Sequence, residues 1–150
     1  MALKEDIANK LKSYFTDKFE IEDTTIVPST DYSKLTFGNK ALRSEFAFLF
    51  VDLRESSKLI DKYGAITAAR IYESFHEIGV RLIQSNDGNV RAFDGDRIMG
   101  IFSGDSKCNN AAQAAFQINW AIRNDLNPYL KDKPIYFGIG LDAGTTLIVK

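Results

Sequence analysis

Two short apolar segments of the sequence each carry an aspartate that a buried strand normally excludes. Asp52 follows the run Phe46–Val51 in "FLFVDLRESS", and Asp96 follows Gly95 in "FDGDRIMGIF". Carboxylates that are held together without a nearby base repel each other, and a divalent cation relieves that repulsion. Oxygen ligands with few other donors favour Mg²⁺ or Mn²⁺. The pattern therefore predicts a metal site with Asp52 and Asp96 as its ligands.

Two serines follow the first aspartate at a predicted strand-to-helix junction. Mg²⁺ is usually held by one or two carboxylates together with substrate phosphates, so a nucleoside triphosphate would supply the missing ligands. Free backbone N–H groups at Ser56 and Ser57 would face those phosphate oxygens. The alternatives are that the serines only cap a helix and that Asp96 only shapes a turn. The sequence favours a corner that binds both metal and phosphate.

The first half of the chain predicts the elements that carry Asp52. Apolar spacing indicates an amphipathic helix at the amino terminus, which packs on its own domain or on a partner subunit. A polar segment over 22–44 connects it to Glu45–Leu53, a nearly continuous apolar run typical of a strand buried on both faces. The spacing of four apolar residues then predicts a helix over roughly 65–85.

The second half predicts a hairpin, a helix and further strands. "NVRAF" and "RIMGIF" flank a tight turn that contains Gly95, and a helix then ends ahead of Pro128. A final pair of strands is predicted, joined at Ala143–Gly144. The order predicts an α+β fold with a ferredoxin-like βαββαβ core, whose helices pack on one face of a mainly antiparallel sheet. Asp52 and Asp96 would lie on neighbouring strands of that sheet.

Composition limits the classes of function. The 150 residues carry 19 Lys and Arg against 20 Asp and Glu, a balance that argues against a nucleic-acid partner. Cys108 is the only cysteine, which excludes an intramolecular disulfide and a thiolate-rich metal site and fits a reducing, cytoplasmic setting. No stretch has the length of a membrane span, so no membrane partner is predicted. The only histidine, His76, falls within a predicted helix, where we expect a structural role.

Three motifs together resemble a known family. "FLFVDLRESS", "DGDRIMGIF" and "GIGLDAG", in this order, are similar to the class III nucleotidyl cyclase catalytic domain over Phe46–Lys150. The resemblance implies that Asp52 and Asp96 bind two divalent cations and that Leu53 offers its backbone carbonyl to one of them. It also implies attack of a ribose 3′-hydroxyl on the α-phosphate, which releases pyrophosphate and leaves a cyclic nucleotide.

The base-reading position departs from the purine cyclases of this family. Three residues before the glycine of "DGD", adenylate cyclases have a lysine and guanylate cyclases a glutamate, whereas this chain has Ala92. With "DGDRIM", "GDSK" and "INWAI…NP", the chain looks most similar to bacterial pyrimidine (cytidylate or uridylate) cyclases. That resemblance implies CTP or UTP as substrate and a cyclic nucleotide that signals to a separate effector in anti-phage defence. Ala92 as an ordinary small strand residue is the alternative.

Two further departures concern phosphate contacts. The family has glycine, then an aromatic residue or serine, then threonine where this chain has Glu55, Ser56 and Ser57. The family arginine before "GIG" is Gly138 here, which removes one possible triphosphate contact. Arg91 and Arg97 are the candidates to compensate and to line the base pocket, although strand alternation places Arg97 on the opposite face from Asp96. Arg91 and Arg97 stay the candidates for that contact.

The ending of the chain bears on its activity. The resemblance implies a homodimer with the site at its interface, completed by an asparagine and arginine motif that follows the last strands, and the chain stops at Lys150 before it. We expect residues 1–44 to form an N-terminal helix and connecting segment and residues 45–150 a catalytic domain that lacks its C-terminal part. Turnover by these residues alone would then be poor. The alternatives are an adenylate or guanylate cyclase, or an inactive cyclase-like regulatory or dimerisation module.

Overall fold

The structure, a computed structural model, describes residues 2–28 and 38–149. These residues divide into two units, one of which comprises the residues up to Glu45 together with those from Thr145 onward. The other unit is Phe46–Gly144. The division of the sequence into domains 1–44 and 45–150 stays a prediction. Among the described residues, no helix combines the length and apolar character that a bilayer crossing requires.

The first unit contains the predicted N-terminal helix and a short parallel strand pair. Helix α1 spans Ala2–Thr16, and β1, Glu20–Asp23, runs parallel to the beginning of β2, Lys40–Leu53. Asp23 lies opposite Arg43 and accepts two hydrogen bonds from its guanidinium, at 2.7 and 3.0 Å. The connecting segment predicted over 22–44 is therefore wrong where β1 and the start of β2 occupy it, and its residues 29–37 lie outside the described part.

The second unit carries the remaining elements around the end of β2, except that the last residues of β5 belong to the first unit. They are α2 (Leu59–Tyr63), α3 (Ala65–Ser85), β3 (Asn89–Asp94), β4 (Arg97–Phe102), α4 (Lys107–Ala121) and β5 (Phe137–Ile148). A 3₁₀ turn, Ser56–Lys58, leads from β2 into α2, and helical turns over Ile122–Leu126 and Asn127–Leu130 follow α4.

The predicted fold class is confirmed by the sheet and its core. Strand β4 lies between β2 and β3 and is antiparallel to both, and β5 also pairs with β2. Along β2, Leu49, Val51 and Leu53 are buried, whereas the intervening Phe50 and Asp52 are not. The buried set joins one core cluster with α3 and α4, including Phe75 and Ile118. Period-two alternation thus points the apolar side chains at the helices and leaves Asp52 on the other side of the strand.

The end of the sheet differs from the prediction. Residues Phe137–Ile148 form one continuous strand, so the predicted pair of strands joined at Ala143–Gly144 is wrong. A tight turn there would need a special backbone conformation, and Gly144 does not have a positive φ, whereas Gly95 in the β3–β4 turn has φ 57°.

Helix α3 approaches β4 closely at one glycine. A Cβ added to Gly79 would overlap Cδ1 of Ile98, a side chain that is fully buried. The absence of a side chain at 79 therefore sets the distance between α3 and the strand that follows Asp96.

Candidate active site

The two predicted metal ligands lie on adjoining backbones. Asp52 is directly opposite Arg97 in the antiparallel register of β2 and β4. One residue further, the N–H of Leu53 donates to the carbonyl oxygen of Asp96 over 2.8 Å. The sheet therefore brings together the end of β2 and the turn of the hairpin, as the sequence predicts.

The side chain of Asp96 is held by the segment that follows β2. Ser56 Oγ donates to Asp96 Oδ2 over 2.5 Å, and the carbonyl oxygen of Ser56 accepts a hydrogen bond from Tyr72 Oη at 3.2 Å. Ser56 thus links the hairpin turn to α3. Tyr72 was not a sequence candidate, and only its spacing on the inner face of α3 would have suggested it.

The two serines differ in their surroundings. Ser56 and Ser57 lie in the 3₁₀ turn Ser56–Lys58, whose N-terminal residue makes no side-chain capping hydrogen bond. Ser56 is half-buried with its hydroxyl on Asp96, and Ser57 is exposed. Ser56 therefore does not cap a helix with its side chain, because its hydroxyl bonds to Asp96. Phosphate binding by either serine stays a prediction.

The carboxylate of Asp52 has a cation beside it. Arg97 Nε lies 3.6 Å from Asp52 Oδ1, and the two side chains are 63% and 40% exposed. Asp96 belongs to the turn rather than to β4, and Arg97, the first residue of the strand, faces Asp52. Of the arginines predicted as candidates, Arg97 is thus the one next to a metal-ligand candidate.

The other base-pocket candidates lie on the outer strand. Ala92 is an exposed residue of β3 opposite Met99, and the register shifts between Val90 and Ala92, so Arg91 is the extra residue of a β-bulge. Strand β4 separates them from Asp52, which corresponds to about 9–10 Å at the usual strand spacing. The structure does not bring Ala92 or Arg91 next to Asp52.

Glu55 has the backbone conformation that glycine favours. Its φ and ψ are 53° and 32°, in the left-handed region. Its carboxylate accepts a hydrogen bond from Lys58 Nζ at 2.8 Å, and that bond, with the nearby positive charges of Lys58 and Lys62, lowers the pKa of Glu55. The turn therefore contains a left-handed residue although the sequence has no glycine there, and Lys58 offsets the negative charge that Glu55 introduces.

Arg54 is a second residue that the sequence did not single out. Its backbone N–H donates to the carbonyl oxygen of Tyr136 over 2.8 Å, and its guanidinium lies against Gly138. The sequence did contain one indication of this role. It has an arginine, Arg54, in the first motif, and a glycine, Gly138, where the family has an arginine.

The donor set fits a divalent cation. The carboxylates of Asp52 and Asp96 and the carbonyl of Leu53 are hard oxygen donors on adjoining backbones. No cluster of three or more His, Cys, Asp or Glu side chains occurs in the part of the chain that the structure describes. Mg²⁺ commonly uses one or two carboxylates and completes its shell with water and phosphate, so this small set is compatible with it.

Curated relatives share much of this sequence. No protein-family model matches the chain. It is 32% identical over 133 residues to a uridylate cyclase of Burkholderia cepacia, which covers 89% of this chain and 58% of that protein. A uridylate cyclase of Xanthomonas perforans is 34% identical over 128 residues, covering 85% of this chain and 55% of that protein. The chain thus spans a little over half the length of these two relatives.

Solved structures share the fold. The guanylyl cyclase Cya2 superposes with a TM-score of 0.63 at 20% identity, over 70% of this chain and 56% of that one. A class III adenylyl cyclase-like ATP-binding protein from Pseudomonas aeruginosa gives 0.70 at 14% identity, over 95% of this chain and 32% of that one. The fold of this chain is therefore that of the class III nucleotidyl cyclase domain. In sequence the chain is similar to the uridylate cyclases over most of its length, which confirms the resemblance to pyrimidine cyclases.

Proposed function

We propose that this chain is part of a uridylate cyclase that converts UTP to cyclic 3′,5′-UMP and pyrophosphate. The observation that carries the proposal is the adjacency of Asp52 and Asp96, fixed by the Leu53–Asp96 hydrogen bond and the β2–β4 register. The names of the relatives favour UTP over CTP. Ala92 supports a pyrimidine because it offers no hydrogen-bonding side chain to a purine edge.

The reaction is an in-line displacement at phosphorus. The 3′-oxygen bonds to the α-phosphorus, the bond from that phosphorus to the bridging oxygen of the leaving pyrophosphate breaks, and the hydroxyl proton passes to solvent. Bound divalent cations would favour ionisation of the hydroxyl and neutralise charge on the leaving group. Asp52, Asp96 and the Leu53 carbonyl would hold two Mg²⁺ or Mn²⁺ ions, and Ser56 orients the Asp96 carboxylate for that task. Positioning and charge stabilisation suffice for such a displacement, so no nucleophilic side chain is required.

The remaining parts of the proposal concern the setting. We infer a cytoplasmic homodimer with the site at its interface, in which the cyclic nucleotide signals to a separate effector during anti-phage defence. Ser57 and the backbone of the 3₁₀ turn would contact phosphate, and Arg91 and Ala92 would line the base pocket across β4. These assignments follow from the resemblance of the motifs to pyrimidine cyclases.

The test is a product assay with each of the four nucleoside triphosphates. The protein at its full natural length is incubated with Mn²⁺ and ATP, GTP, CTP or UTP, and products are identified by mass spectrometry. Cyclic UMP from UTP supports the proposal. Cyclic CMP would retain the pyrimidine assignment and reject uridine specificity, whereas a cyclic purine nucleotide would reject the argument from Ala92. Metal binding without any product would favour the inactive regulatory module.

A further inference from the structure

The guanidinium of Arg54 occupies the space that a side chain at position 138 would fill. A Cβ built on Gly138 would lie 2.9 Å from Arg54 Nη2 and 3.4 Å from both Cζ and Nε. Contacts that short with a real Cβ would force the guanidinium to move. The bare backbone of Gly138 therefore sets where the charged end of Arg54 lies.

The backbone on each side of this contact is fixed. Arg54 comes two residues after Asp52 and directly after Leu53, and its N–H is bonded to Tyr136, two residues before Gly138. The charged group thus projects from the same short segment that carries the metal-ligand candidates.

The surroundings of Arg54 are positively charged. Arg54 lines one small pocket with Lys58 and Lys62, and Glu55 is the only carboxylate in that lining. Lys58 pairs with Glu55 at 2.8 Å, while Lys62 Nζ lies 3.3 Å from the carbonyl oxygen of Pro134 and over the ring of Tyr63. Three cations against one carboxylate create a local potential that attracts a polyanion.

Within the described part of the chain, the donors of the Arg54 guanidinium are available. Among the residues that the structure describes, neither a salt bridge nor a side-chain hydrogen bond engages it. A guanidinium presents several N–H groups in a planar fork that matches the oxygens of a phosphate. An arginine that lies against Gly138 and has no partner among the described residues is suited to bind a phosphate group of a ligand.

We propose that Arg54 binds the triphosphate of the substrate and that Gly138 is the residue that positions it. This inference rests on the proposed cyclase function, since it assigns a further residue to the same site. Arg54 replaces the contact that Gly138 itself cannot provide, and it does so from the position directly after β2. Lys58 and Lys62 add long-range attraction rather than a fixed contact.

The experiment compares Arg54→Ala with Arg81→Ala and Gly138→Ala with Gly140→Ala. Arg81 is an exposed arginine on α3, and a Cβ at Gly140, on the same strand as Gly138, meets nothing within 4 Å. Two quantities are measured in Mg²⁺ buffer: KM and kcat for UTP, and the Kd of inorganic triphosphate by calorimetry. Loss of a hydrogen bond to a charged group predicts at least about a tenfold rise in both KM and Kd for Arg54→Ala.

The glycine pair separates positioning from folding. Gly138→Ala is expected to weaken triphosphate binding several-fold because the guanidinium is displaced, while Gly140→Ala, like Arg81→Ala, leaves it unchanged. The double variant Arg54→Ala with Gly138→Arg places a guanidinium on β5 instead and is expected to recover part of the affinity for inorganic triphosphate. Urea unfolding of each variant checks that the fold is retained.

The outcomes distinguish this inference from the proposed function. Unchanged Kd and KM in Arg54→Ala would overturn the inference while leaving the cyclase proposal intact, and so would a wild-type protein that makes cyclic UMP but does not bind inorganic triphosphate. Binding of inorganic triphosphate that depends on Arg54, without any cyclic nucleotide formed, would support the inference and reject the cyclase proposal.

Discussion

Arg97 and Asp52 lie directly opposite each other across β2 and β4, with Nε 3.6 Å from Oδ1. Both side chains are substantially exposed, so water and salt screen the pair, and exposed pairs contribute only about 0.2–1 kcal/mol. A divalent cation that bound to Asp52 would have to compete with this weak interaction. Arg97 would then be a neighbour that the cation displaces.

Replacing Arg97 by glutamine is expected to raise the affinity of the site for Mn²⁺. Removing a pair of this strength predicts an increase of up to about fivefold, larger at low ionic strength. Calorimetric titration with Mn²⁺ at two salt concentrations measures it, with Arg91→Gln on β3 as the matched control. Weaker Mn²⁺ binding by Arg97→Gln would show that Arg97 supports the metal site instead of competing with it.

Replacing either Asp52 or Asp96 by asparagine is expected to reduce cyclic nucleotide formation by at least about 100-fold. The reason is that each carboxylate would hold a cation that stabilises charge in the transition state. Asp94→Asn is the control, because Asp94 is an exposed acid at the end of β3, directly before the hairpin turn. Initial rates with Mn²⁺ provide the measurement. Equal losses in all three variants would indicate damage to the hairpin rather than removal of metal ligands.

Replacing Ser56 by alanine is expected to lower the free energy of unfolding by about 1 kcal/mol. The variant loses the hydrogen bond to the partly exposed Asp96 carboxylate, and bonds of this kind have about that net value. Ser57→Ala, an exposed neighbour in the same turn, should stay within about 0.5 kcal/mol of the wild type. Urea denaturation compares them. If the two variants have the same stability, the Ser56–Asp96 bond does not contribute to folding.

The contact between Gly79 and Ile98 predicts a compensating pair of substitutions. Gly79→Ala overpacks the space against Ile98 Cδ1, an effect of about 1–3 kcal/mol, from which the better helix propensity of alanine subtracts about 1 kcal/mol. Ile98→Val removes that same Cδ1 atom and alone costs about 0.5–1.5 kcal/mol. The double variant is therefore expected to be more stable than the sum of the two losses. A strictly additive result from denaturant unfolding would contradict this contact.

The sequence predicted those parts of the fold that depend on local periodicity. Helix α3 was predicted over roughly 65–85 and spans Ala65–Ser85, because its buried residues recur at helical spacing. The hairpin followed from its turn residues, and the adjacency of Asp52 and Asp96 followed from the strand order. Features that depend on pairing between distant segments were not predictable in this way. For example, the strand was predicted to begin at Glu45, but β2 begins at Lys40 because its first residues pair with β1.

The same limit applied to the candidate site. The aspartates stood out because a charge interrupts an apolar run, which is visible in one segment alone. Arg54 acquires its setting from Gly138, more than eighty positions away, and Ser56 from Asp96. Such contacts depend on the packed structure, so the residue types around Arg54 and Ser56 indicate them only weakly.

Glu55 has the left-handed backbone conformation that glycine usually adopts, so the shape of this turn does not require glycine. A bulky residue tolerates that conformation at an energetic cost, so the turn is retained by its surroundings and not by the freedom of glycine. We therefore expect relatives of this chain to differ in residue type at position 55 while they retain the left-handed backbone conformation of the turn. A search that demands glycine after the first aspartate motif would overlook them, whereas one that compares backbone conformations would find them.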